Sequence, residues 1–154
     1  MDVQNNGIRI SEPSFPDNVE LSNDKRKSFV LKGEHKRKWT AENPNNHIGV
    51  RLKIDGALIA TYLQNKCDFG LLLDDNRLYL IELKGTNYKT AVTQLIETMR
   101  YFQTNYNYNL VFYARIVGRS FPKATTELQI EKKNLRKFFG DRFRLFENDG
   151  EEKI

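Results

Sequence analysis

The apolar positions of this chain change their period several times, and each change marks an element. From Val50 to Ile59 apolar residues alternate with polar or basic ones, the two-residue repeat of a half-buried strand, and Asp55-Gly56 supplies a tight turn or bulge within it. Cys67 to Leu73 and Leu78 to Leu83 are apolar apart from Asp68 and Glu82, each short enough to be one strand. Between them Asp74-Asp75-Asn76-Arg77 is a turn of the right length for a β-hairpin. Past Gly85 the period lengthens. Ala91, Val92, Leu95, Ile96, Met99 and Phe102 recur at three- and four-residue spacing, which predicts a helix from Lys89 to about Asn105 with one apolar face. Thr86 or Asn87 can cap it. Leu110 to Val117, β-branched and aromatic, predicts a strand. Residues 125–139 predict a second helix, with Leu128, Ile130, Leu135, Phe138 and Phe139 apolar and Gly140 as its C-cap. Phe143 to Phe146 reads as a short last strand. Strand, hairpin, helix, strand, helix is the order of a mixed central sheet flanked by helices, an α/β fold.

The flanks have a different character. Residues 1–24 are polar and carry Pro13 and Pro16, which predicts an N-terminal arm. Phe29-Val30-Leu31, set among basic residues, anchors a short strand or helix turn, and Asn43-Pro44-Asn45-Asn46 is a turn signal. Residues 147–154 predict a loose acidic tail, which leaves 25–146 as a single domain.

Composition narrows the classes of function. Of 154 residues 39% are hydrophobic, enough for a core, and no apolar run approaches the ~18 residues of a membrane span, so no membrane partner is expected. Met1 to Asn6 has neither the basic nor the apolar stretch of a secretory signal, and the single cysteine, Cys67, forbids an intrachain disulfide. Both features predict a cytoplasmic protein. One Cys with His35 and His47 is too few and too badly spaced for a zinc site. Cys67 reads as a small buried hydrophobe, the histidines as surface residues, and Trp39 as core, with stacking on a base the alternative. Lys and Arg outnumber Asp and Glu by 25 to 20, a net charge of +5. Seven of the basic residues lie between Lys25 and Lys38, and residues 132–144 form a second run. Both runs are either solvated surface or a track for phosphates.

The candidate chemistry lies in the hairpin. Asp68 opens its first strand and Glu82 closes its second, so antiparallel pairing makes them neighbours. Lys84 follows Glu82 by two residues and shares its face by strand alternation. Two carboxylates and an ammonium in one patch suit Mg²⁺ or Mn²⁺ acting on a phosphate. A surface ion pair across the hairpin is the plainer alternative, though the apolar flanks argue against an open face.

Asp68, a fourteen-residue step, then Glu82-Leu83-Lys84 resembles the Asp…(Asp/Glu)-x-Lys motif of the PD-(D/E)XK nuclease superfamily, which includes restriction endonucleases and Holliday-junction resolvases. The order of elements over about residues 48–118 is similar too. The resemblance implies a restriction-endonuclease-like core and metal-dependent hydrolysis of phosphodiester bonds in nucleic acid, DNA favoured. It implies Asp68, Glu82 and the Leu83 backbone carbonyl as ligands of Mg²⁺ or Mn²⁺, and Lys84 as the catalytic lysine. Some branches carry a Gln and a Tyr on the next helix. Gln94 and Tyr101, seven residues apart, are similarly spaced, Gln94 to orient the lysine or contact phosphate and Tyr101 to stack or bond nearby. Nucleic acid would be met by Lys36, Arg37, Lys38, Lys89 and Tyr101. Cys67 stands where the family often has Pro. Many members also place an upstream glutamate near the site, and Glu34, Glu42 and Asp55 are the local candidates, left open here. The alternative function is a non-catalytic nucleic-acid-binding or scaffold module on the same fold. A chain this short also suggests a homodimer or larger complex to define a substrate. Docking of an acidic protein on the basic surface is a third reading.

Overall fold

Strands that are apolar at every position need cover on both faces, and this fold covers them in two different ways. The computed structural model describes residues 9–59, 65–83, 87–106, 108–121 and 126–154, with backbone alone at His35. In chain order the elements are β1 (Glu20–Lys25), β2 (Ser28–Lys32), a 3-10 turn (Glu34–Lys36), β3 (Lys38–Glu42), β4 (Ile48–Lys53), β5 (Phe69–Leu73), β6 (Arg77–Glu82), α1 (Tyr88–Asn105), β7 (Val111–Gly118), α2 (Thr126–Phe139), β8 (Phe143–Glu147) and β9 (Gly150–Lys153). Six strands form a central sheet in the order β1-β4-β5-β6-β7-β8, and β2-β3-β9 form a second, three-stranded sheet. The central sheet is mixed: β1 to β6 pair antiparallel, and β6, β7 and β8 run parallel. It is flanked by the two helices, so the α/β class and the mixed central sheet expected above are found.

Alternation along the hairpin assigns each face its cover. Leu72, Leu78 and Leu80 join one core with Leu95, Met99 and Phe102 of α1 and Leu128, Leu135 and Phe139 of α2. Leu71, Leu73, Tyr79 and Ile81 join a second core with Phe29, Leu31, Trp39 and Ala41 of the small sheet. The helices therefore lie on one face and the small sheet on the other. The second cover was not expected. Its strand β9 comes from the acidic end of the chain.

Three expectations need correction. The tail 147–154 is not loose: Gly150–Lys153 pairs parallel with β3, and Ile154 is buried. Glu152 explains why, because its carboxylate receives bonds from Trp39 Nε1 at 2.9 Å and from Arg115 Nε at 2.7 Å. Residues 9–24 are not a detached arm, since Ile10, Phe15 and Val19 are buried and β1 is an edge strand of the central sheet. Residues 1–8 lie outside the described residues. On α2, Ile130 is 53% exposed and Glu131 is 5% exposed, so the buried stripe runs through the glutamate. Helical spacing accounts for this, because Glu131 lies three after Leu128 and four before Leu135.

Helix α1 matches its expected stripe, and Asn87 caps it by accepting from Thr90 N at 3.1 Å. Gly140 ends α2 with a positive φ of 61°. Trp39 is core, as expected. No helix among the described residues is long and apolar enough to cross a membrane.

Candidate functional site

The hairpin register fixes the first contact. Phe69 pairs with Ile81, so one step further out Asp68 comes opposite Glu82. The bond that closes this end is from Leu83 N–H to Asp68 Oδ2, at 2.8 Å. The Asp68 backbone is held from the other side, where its carbonyl accepts from Ile54 N at 3.1 Å and from Asp55 N at 3.3 Å. Asp68 is thus tied to both neighbouring strands and is half-buried, while Glu82 is 2% exposed at the end of β6.

A cleft of about 400 Å³ opens beside Asp68, lined by Lys32, Gly33, Glu34, Lys53, Asp55, Asp68 and Phe69. Two of the three upstream acids considered above, Glu34 and Asp55, line it with Asp68. The third, Glu42, lines a different cleft with Lys27 and Asn43. Glu34 arrives there through a close approach. A Cβ built on Gly33 would sit 3.1 Å from Leu83 Cδ1 and 3.2 Å from Leu83 Cβ, so glycine lets the 3-10 turn press against the end of β6. Asp55 is brought in by the turn after β4, where Gly56 has a φ of 79°.

Lys66 is a participant that the sequence pattern did not reveal. Its side chain is only 10% exposed, and Nζ lies 3.8 Å from Asp55 Oδ1. A lysine is rarely this buried without a charged partner. Its place just before the strand, in a segment of no regular period, gave no signal. Cys67 is fully buried next to it, and its N–H donates to Thr98 Oγ1 of α1 at 2.9 Å. Burial, with the carboxylates of Glu82 and Asp68 close by, pushes the Cys67 thiol well up from its ordinary range, so it stays protonated.

The remaining candidates are scattered. Lys84 lies outside the described residues. Gln94 is half-buried on α1, and its backbone carbonyl accepts from Thr98 Oγ1 at 2.7 Å. Tyr101 lies away from the Asp68 cleft. It lines another, with Ile59, Asn65, Glu97 and Arg100, and thirteen residues of helix after Tyr88 put it about 20 Å along α1. Lys36 and Lys38 are exposed and Arg37 is half-buried, on the segment leading from the Glu34 turn into β3, and Lys89 is exposed in the first turn of α1.

A second polar cluster lies at the opposite end of the hairpin. Ligand atoms of His47, Asp74 and Asp75 come within 4.8 Å of one another. Their hydrogen bonds are already committed. His47 Nδ1 lies 2.8 Å from Asp74 Oδ1, Arg77 Nη2 lies 3.2 Å from His47 Nε2, and Arg77 Nε donates to Asp75. Arginine only donates, so Nε2 is the acceptor and Nδ1 carries the proton. Asp74 Oδ2 accepts from Ile48 N at 2.9 Å. The arrangement fastens the hairpin turn to β4, and a guanidinium already occupies the place of a cation.

Comparisons of the chain with protein-family models, with characterised proteins and with solved structures find no match.

Proposed function

We propose that the protein is a metal-dependent nuclease of the PD-(D/E)XK kind, with a restriction-endonuclease-like fold, that hydrolyses phosphodiester bonds of nucleic acid, DNA favoured. The observation that carries this reading is the bond from Leu83 N–H to Asp68 Oδ2, which ties Asp68 to the residue next to Glu82 at the open end of the β5–β6 hairpin. The succession β4, β5, β6, α1, β7, with β7 parallel to β6, supports it further.

The donor set fits a hard divalent cation. Asp68, Glu82, Asp55 and Glu34 offer only carboxylate oxygens, the ligands that Mg²⁺ and Mn²⁺ favour. Asp68, Glu82 and the Leu83 carbonyl would hold the ion, with Asp55 or Glu34 as a further acid. A bound ion supplies Lewis-acid polarisation of the phosphate and lowers the pKa of a coordinated water. The chain supplies the rest. The Leu83 N–H fixes the orientation of the Asp68 carboxylate. Lys84, two residues after Glu82, brings an ammonium for charge that develops on the phosphate. Lys32 and Lys53, which line the cleft, and the exposed Lys36, two residues after Glu34, attract the backbone of the substrate.

The test is cleavage of plasmid and of single-stranded oligonucleotides with Mg²⁺ or Mn²⁺. Wild type cleaves, and Asp68→Ala and Lys84→Ala each lose about 100-fold or more. Unchanged activity in both variants would remove the site assignment. Lys66 favours a second reading, the non-catalytic nucleic-acid-binding or scaffold module, because its ammonium already partners Asp55. That reading predicts no Mn²⁺ binding together with salt-sensitive nucleic-acid binding.

A further inference from the structure

One of the two basic runs of the chain lies away from the carboxylate cleft. Between residues 132 and 144 stand Lys132, Lys133, Arg136, Lys137, Arg142 and Arg144 against a single acid, Asp141, a surplus of five that equals the net charge of the whole chain. Lys133, Arg136 and Lys137 follow one another at three- and four-residue or adjacent positions on the exposed side of α2, while Leu128, Leu135 and Phe139 turn to the core. Arg142, just before β8, and Arg144, on β8 at the sheet edge, are both exposed, Arg144 on the face of the small sheet, 3.9 Å from Glu152 of β9.

Some of these cations are held in place by rings, and Arg142 by its Nε, which donates to Phe112 O at 3.0 Å. Arg136 lies over Phe143 at 5.7 Å, Arg144 over Phe146 at 4.8 Å, and Arg100 and Lys137 over Phe138 at 5.2 and 5.6 Å. A guanidinium resting on an aromatic face is already partly ordered and keeps its planar fork of donors for phosphate oxygens. Helix polarity accounts for Arg136 and Lys137, which lie in the last turn of α2, but not for Arg142, Arg144 and Arg100. Nearby acids compensate only in part. Glu97 pairs with Arg100 at 3.0 Å, and Glu152, 3.9 Å from Arg144, is already bound to Arg115.

We propose that α2 and β8 form a docking surface for the phosphate backbone of double-stranded nucleic acid, separate from the carboxylate cleft. An anionic membrane is a poorer fit, because the apolar face of α2 is turned inward and Ile130 is its one large exposed hydrophobe among the described residues. An acidic protein partner is a poorer fit, because Phe138, Phe143 and Phe146 are half-buried beneath the cations and leave no fully open apolar centre. By strand spacing β8 lies about 10 Å from β6, the strand that ends at Glu82. The choice of nucleic acid rests on the nuclease reading. The docking itself requires neither metal nor cleavage.

The experiment is fluorescence anisotropy of a labelled 20-base-pair duplex with the full chain in EDTA, over a range of salt concentrations. Wild type should bind with log Kobs falling against log salt at a slope of about −4 to −5, as five or so phosphate contacts require. The triple variant Lys133→Glu/Arg136→Glu/Lys137→Glu should bind at least about 30-fold more weakly, with a slope shallower by about 3. The neutral variant Lys133→Gln/Lys137→Gln, checked for fold by circular dichroism, should fall between them. Undiminished binding by the charge variants overturns the proposal. So does a wild type that binds anionic vesicles or polyglutamate but not the duplex. A wild type that docks the duplex yet never cleaves with Mg²⁺ or Mn²⁺ overturns the nuclease reading and keeps this one. Cleavage by wild type with undiminished duplex binding by the charge variants does the reverse.

Discussion

Asp68 has a structural task and a chemical one, and a pair of substitutions separates them. Its Oδ2 accepts the Leu83 N–H at 2.8 Å, a bond that an asparagine oxygen can also accept. Asp68→Asn should therefore leave the unfolding midpoint in urea close to wild type, while Asp68→Ala costs about 1–3 kcal/mol because it strands a buried donor. Metal-dependent cleavage should be lost in both. Equal destabilisation by the two would mean that the charge of Asp68, not its acceptor oxygen, holds the hairpin end. The sequence reveals this pair because hairpin register and strand alternation are local rules. It does not reveal Glu34 or Lys66. Glu34 reaches the cleft through the contact of Gly33 with Leu83, between residues fifty positions apart, and no periodicity encodes such a contact.

At the scale of elements, the two helices and the hairpin were legible, and β9 was not. Apolar stripes report the face an element buries, and α1 buries Ala91, Val92, Leu95, Ile96, Met99 and Phe102 as its pattern requires. Gly150–Lys153 carries no such pattern. It becomes a strand because β3 offers a parallel partner and because Arg115 and Trp39 bind Glu152. The Arg115–Glu152 pair is buried on both sides, at 6% and 5% side-chain exposure, and Arg115 also lies over the Tyr79 and Tyr113 rings at 5.1 and 5.7 Å. Removing one partner leaves the other charge buried. Glu152→Ala should cost about 3–5 kcal/mol in a urea titration, and the double variant Arg115→Met/Glu152→Ala should recover part of that. A loss under 1 kcal/mol for Glu152→Ala would show that β9 is held by its ladder alone. The same principle explains the misread stripe on α2, where Glu131 is buried and Ile130 faces outward. Residue polarity suggested the reverse, and the three- and four-residue spacing to Leu128 and Leu135 decided it.

Across the whole molecule, protons held by buried groups set a limit on the alkaline side. Burial raises the Cys67 thiol well above its ordinary 9.0, and raises the Tyr79 and Tyr88 phenols above their ordinary 10.0. Above about pH 9 the unfolded chain releases protons that the folded chain keeps. The folded state then binds more protons, so stability falls as pH rises. Urea midpoints should be level near pH 8 and decline from about pH 9 upward, and Cys67→Ala should move the onset toward pH 10. A flat profile from pH 8 to 10.5 would contradict the burial assigned to these groups. The charge pattern divides the molecule in a similar way. Carboxylates collect at one end of the central hairpin, and basic residues gather on the 25–38 segment and on α2 with β8. The account of function depends on the first of these. Its most direct test is Mn²⁺ titration of the purified protein, followed by water-proton relaxation, with Asp68→Asn and Glu82→Gln alongside. The account predicts saturable binding to wild type that both variants lose. Binding that survives in both variants, or no saturable binding to wild type, would contradict it.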